Sequence, residues 1–97
     1  MMYDLILTGK FKKSLKLAKK RGLNIHLLEE VVNILQSGGE LDKKYHDHEL
    51  KGKYKNFREC HIQPDWLLIY LIENDILTLT LIDPGTHADL FNMYEMY

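Results

Sequence analysis

FRECHIQPDWLLIYLIENDILTLTLI, residues 57–82, decides the fold. FRECHI (57–62) alternates with period two as a strand, and Gln63-Pro64-Asp65 makes a turn with proline in its favoured early position. WLLIYLI (66–72) is apolar at successive positions, the pattern of a central strand covered on both faces. Glu73-Asn74-Asp75 turns the chain again, and ILTLTLI (76–82) alternates with Thr as a partner strand until Asp83-Pro84-Gly85 breaks it. Thr86 with Asp89 then predicts a short capped helical turn.

Upstream, Tyr3, Leu5 and Leu7 alternate with Met2, Asp4 and Ile6, predicting a short first strand that stops at Thr8-Gly9. Thr8 can cap a helix in which Phe11, Leu15 and Ala18 form an apolar stripe and lysines fill the other faces. Gly22 is the expected residue after that helix, and Asn24 the cap of a second. Leu28, Val31, Val32 and Leu35 of the second helix face the core until Gly38-Gly39 ends it. So short a connection predicts two antiparallel helices. Residues 40–56 are polar and show neither period, so they read as an ordered surface loop long enough to carry function. The order βααβββ with a terminal turn predicts an α+β fold in a single domain, 1–97, with both helices on one face of an antiparallel sheet. The other face is then partly open for a cleft.

Composition sets outer bounds. Apolar residues are 45% and charged residues 28%, ordinary globular usage. No apolar run reaches the ~20 residues of a membrane-spanning helix, and the start MMYDLILTGK lacks a basic leader. Cys60 is the single cysteine, which excludes an internal disulfide, suits a cytoplasmic location and predicts a core position. The net charge of −1 conceals segregation: all 13 Lys and Arg lie between Lys10 and Arg58, giving +6 for residues 1–58 and −7 for 59–97. Two readings stay open on charge alone, a polyanion-facing surface or solvated helix faces.

Five histidines remain to be explained. His26, in the second helix, reads as structural or exposed. His46-Asp47-His48 and His61 with Asp65 invite a metal reading, but the spacing lacks the knuckle or helix-turn pattern of zinc sites, so neither metal nor cofactor is expected. No Walker loop, nucleophile elbow or dinucleotide fingerprint occurs. What remains is metal-free acid–base chemistry. A neutral and a protonated imidazole together suit attack of a ribose 2′-hydroxyl on its adjacent phosphate, because RNA supplies its own nucleophile.

YHDHELKGKYKNFRECHIQPDWLLIY (45–70), with GTHADLF (85–91), resembles the YafQ branch of the RelE/ParE toxin superfamily over about a third of the chain. That branch shows D-H-x-L-x-G-x-[WY]-x-x-[YF]-R-[DE]-x-H-[IV]-x-P-D-[WV]-[LI]-L-[IV]-Y and a G-[ST]-H-[SA]-x-L-F ending. The resemblance implies a type II toxin that cuts mRNA at the ribosome and binds a cognate antitoxin, commonly a ribbon-helix-helix protein. It implies an acid–base cluster of His48, His61, Asp65 and His87, with His87 as general acid and Asp65, alone or with His61, as base. Trp66 and Phe91 would stand beside it and stack on bases, with core packing as the alternative.

One departure tempers this. Relatives carry an Arg just before the terminal G-[ST]-H, where this chain reads Ile82-Asp83-Pro84-Gly85. Losing one such transition-state donor costs ~3 kcal/mol. Arg58, or Lys51, Lys53 and Lys55, are the candidates to compensate on RNA, although Arg58 has a structural alternative as an ion pair with Glu59 or another acid of the C-terminal half. Two further classes follow: a degenerate toxin that serves as an antitoxin-binding module, and a gyrase poison of the ParE kind, which needs no histidine set.

Overall fold

Thr8 sets the first corner of the computed structural model, which describes residues 2–81 apart from the side chains of Lys53 and Leu81. Its side chain accepts from the Phe11 amide at 3.0 Å and donates to the Leu79 carbonyl at 2.8 Å, so the helix cap is also a tie to the sheet. Strand β1 (Asp4–Leu7) precedes this corner, and helix α1 (Gly9–Lys20) follows it. Gly22, at φ +74°, takes the left-handed position after α1 that only glycine fills without strain. Asn24 then caps helix α2 (Ile25–Gln36) by accepting from the His26 amide.

The expected meander is present as β3 (Arg58–Gln63), β4 (Trp66–Glu73) and β5 (Ile76–Leu81). Asn74 and Asp75 both have positive φ, as a two-residue hairpin turn requires. The sheet is not wholly antiparallel, however. Its order is β1-β5-β4-β3-β2, and β1 runs parallel to β5 with Asp4 opposite Ile76. Both helices form the crossover between β1 and the meander, the kind of connection parallel pairing needs, and side-chain period carries no information about direction.

The polar stretch before β3 is more structured than its lack of period predicts. It holds 3₁₀ turns at Lys43–Tyr45 and Gly52–Tyr54 and a two-residue edge strand, β2 (His48–Glu49), antiparallel to β3. Tyr45 and Leu50 are buried. The main core lies between helices and sheet: Phe11, Ala18, Leu28, Val31 and Leu35 pack with Cys60, Leu68, Tyr70, Leu77 and Leu79. On the other face Leu50, Leu67 and Ile69, with Tyr54 and Phe57, form a smaller cluster beneath the segment preceding β3. No helix among the described residues is long and apolar enough to cross a membrane.

Candidate active site

β3 presents alternate residues to opposite faces, so Cys60 and Ile62 enter the main core while Glu59 and His61 share the other side. Antiparallel pairing sets His48 of β2 directly opposite Glu59. The result is a set of three: His48 Nε2 lies 3.2 Å from Glu59 Oε1, and His61 Nε2 lies 4.0 Å from the same oxygen. Glu59 is buried, its side chain 4% exposed against 48% for His48 and 20% for His61. The carboxylate thus sits at the floor with imidazoles above it.

Backbone carbonyls fix both rings. His48 Nδ1 is 2.8 Å from the His46 carbonyl, and His61 Nδ1 is 3.2 Å from the Pro64 carbonyl. A carbonyl only accepts, so each Nδ1 carries hydrogen, and His48 Nε2, set against a carboxylate oxygen, holds a proton in common with Glu59. The His46 ring stands edge-on to His61 at 5.6 Å, and the His48 ring is 6.2 Å from it. These rings open into a cavity of about 630 Å³ lined also by Lys44, Tyr45 and Pro64.

Other expected site residues lie elsewhere. Asp65 is exposed in the β3–β4 turn and does not line that cavity. Lys51 and Lys55 are exposed before β3. His87 and Phe91 lie outside the described residues, as does the side chain of Lys53. Trp66, for which base stacking and core packing were the two readings, is fully buried within the main core on the helix side of β4. Its indole nitrogen has no hydrogen-bond partner among the described residues. His26 is on α2 with its side chain 88% exposed, beside Glu29.

Among the described residues, Arg58 pairs with Asp47, an acid of the N-terminal half. Its Nε and Nη2 donate to Asp47 Oδ2 at 3.1 and 3.0 Å, and Tyr70 donates its hydroxyl to Asp47 Oδ1 at 2.5 Å. The hydrogen bond to Asp47 raises the Arg58 pKa further above its already high value, while burial, then the same carboxylate, pushes the Tyr70 phenol up. Burial likewise pushes the Cys60 thiol up, consistent with a packing residue.

Glu59 is the residue that sequence reasoning missed. The signal was available, since Glu59 and His61 are two apart in an alternating strand and must share a face. Spacing also argued against metal, yet one donor atom each from His48, Glu59 and His61 lie within 4.8 Å of one another. Two imidazoles and a carboxylate are ligands that suit zinc or copper.

Residues 3–92 match the family described as bacterial toxin of type II toxin-antitoxin system, YafQ. The mRNA interferase toxin YafQ of Escherichia coli strain K12 is 36% identical over 89 residues, covering 91% of this chain and 95% of that protein. In the E. coli DinJ-YafQ toxin-antitoxin complex, the matched chain is 35% identical, with TM-score 0.81 and coverage of 94% of this chain and 99% of that one. A copper-bound mutant toxin from Helicobacter pylori is 41% identical, with TM-score 0.82 and coverage of 93% and 100%. Sequence and fold agree over nearly the whole length, and the chain belongs to the YafQ family of type II toxin-antitoxin toxins.

Proposed function

We propose that this toxin is an endoribonuclease that cuts mRNA at the ribosome by metal-free acid–base catalysis. The observation that carries this reading is the pair of imidazoles whose Nε2 atoms both face one buried carboxylate at the edge of an open cavity. The activity is that named for the E. coli relative. A base takes the proton of the ribose 2′-hydroxyl, the oxygen attacks the neighbouring phosphorus, and an acid protonates the departing 5′-oxygen. His61, with Asp65, is the proposed base, and His87 the proposed acid. Glu59 holds His48 and His61 with their exchangeable nitrogens turned inward and offsets the charge of whichever imidazole is protonated. Lys44 lines the cavity, and Lys51, Lys53 and Lys55 lie in the same segment as phosphate contacts in place of the family arginine.

The proposed partner is a cognate ribbon-helix-helix antitoxin, as the DinJ-YafQ relative has an antitoxin partner. A second reading, an antitoxin-binding module with little nuclease activity, is favoured by Asp83 at the place of the family arginine. Induced expression in a bacterial host without antitoxin separates the two. Growth arrest with new, ribosome-phased mRNA 5′ ends is expected for the wild type and absent for His87→Ala. A folded wild type that leaves growth and mRNA intact transfers the assignment to the binding module.

The same three donors make the site vulnerable to metal. Coordination by His48, Glu59 and His61 consumes the lone pairs that proton transfer needs, so zinc or copper is expected to suppress cleavage by about tenfold or more. Chelator should restore the rate without lowering the basal one. Loss of basal cleavage on chelation would instead make a metal part of catalysis.

A further inference from the structure

Asp47 stands between two site histidines in sequence yet faces away from both. Alternation along the edge directs His48 toward Glu59 and Asp47 to the helix side of the sheet, where Arg58 and Tyr70 are cross-strand partners on β3 and β4. Oδ2 of Asp47 accepts two hydrogen bonds from Arg58, and Oδ1 accepts one from Tyr70. Tyr70 is 3% exposed, so the carboxylate is anchored to the interior of the sheet. Charge-assisted contacts of this kind are short and directional.

The segment that the anchor holds is also pinned at its ends, by Tyr45 in the main core and Leu50 in the second cluster. Between them β2 is two residues long and, among the described residues, pairs with Arg58 and Glu59, continued by one backbone bond from Leu50 to Phe57, so the 46–48 backbone itself has a short ladder. His46 has φ +50°, a left-handed conformation uncommon outside glycine that His, like Asn and Asp, adopts more often than other side chains. That residue supplies the carbonyl that accepts from His48 Nδ1 at 2.8 Å. Backbone position at 46–48 therefore decides the rotation and tautomer of the His48 ring.

We propose that Asp47, Arg58 and Tyr70 are positioning residues, a clamp on the helix side of the sheet that sets the His48 imidazole on its opposite side. This rests on the nuclease reading for its kinetic consequence but not for its spectroscopic one. Arg58 on this view is committed to Asp47 and does not serve as the phosphate-bracing group.

The test combines single-turnover cleavage of RNA with ¹⁵N spectra of the histidine rings in the intact chain. Asp47→Ala is expected to lower kcat by about a hundredfold with KM little changed, the size of loss that a displaced reacting group produces. Tyr70→Phe keeps the buried ring, removes only the hydroxyl, and is expected to lose about tenfold. Asp47→Asn should recover part of the Asp47→Ala loss. In each weakened variant the His48 Nδ1 signal should leave its wild-type, hydrogen-bonded position. Val31→Ala, which loosens the core, should lower the melting temperature without moving kcat or the His48 signals. Folded variants with wild-type kcat and an unchanged His48 spectrum overturn the proposal, as does a rise in KM alone for Arg58→Lys, which puts Arg58 on the substrate. Should the wild type prove inactive on RNA, the nuclease reading fails and the His48 spectrum alone decides the clamp.

Discussion

His61→Ala is expected to lower the rate of mRNA cleavage by roughly 10²–10⁴-fold, the range that positioned proton transfer contributes. The imidazole is 20% exposed, its Nδ1 is tied to the Pro64 carbonyl, and its Nε2 is 4.0 Å from the buried Glu59 carboxylate. The ring is therefore held from both nitrogens at the wall of the cavity. Glu59→Gln offers the partner experiment. It keeps the shape while removing the charge beneath His48 and His61, and a loss of about tenfold or more is expected because an imidazolium above it then lacks its counter-charge. Because β3 pairs with β4 from Arg58 to His61, neither change should reduce folding cooperativity. Cleavage assays on translated mRNA, paired with thermal unfolding, check both. Wild-type rates from folded His61→Ala would remove His61 from the chemistry.

Trp66→Ala is expected to cost about 3–5 kcal/mol of stability, the penalty for emptying a large aromatic site in a packed core. Trp66 is fully buried at the start of the central strand, among the residues that join helices to sheet. Against a total stability of about 5–15 kcal/mol for a domain, that loss is a large fraction of the margin. Trp66→Phe should retain most of the packing. Chemical denaturation, with the indole signal replaced by far-ultraviolet circular dichroism, measures both changes. An alanine variant that keeps wild-type stability but loses RNA affinity would return Trp66 to the base-stacking role suggested by its place in the motif.

Several parts of the architecture were legible because they depend on neighbours in sequence. Thr8 and Asn24 are helix caps by virtue of what a short polar side chain does to amides two or three residues on, and both act so in the structure. The stripes Phe11–Ala18 and Leu28–Leu35 follow from 3.6 residues per turn, and the burial of Phe11, Ala18, Leu28, Val31 and Leu35 agrees with them. Val32 and Leu15, on the margins of those stripes, are only half-buried. The candidate site was legible in part. His48 and His61 were singled out by type and motif, and their rings lie 6.2 Å apart in the structure. Asp65 does not line the same cavity, and Trp66 belongs to the core.

By itself, then, the chain determined the order of its elements, their caps and their apolar faces, and through its motifs the family to which it belongs, since each of these is written in residues a few places apart. Tertiary structure decided the parallel seating of β1 against β5, the two-residue strand β2, the choice of Asp47 rather than Glu59 as partner for Arg58, and the meeting of His48 with Glu59. Those outcomes turn on register and strand direction. A shift of one residue in the β2–β3 pairing would send Glu59 away from His48, and no local pattern records which register the packed sheet adopts.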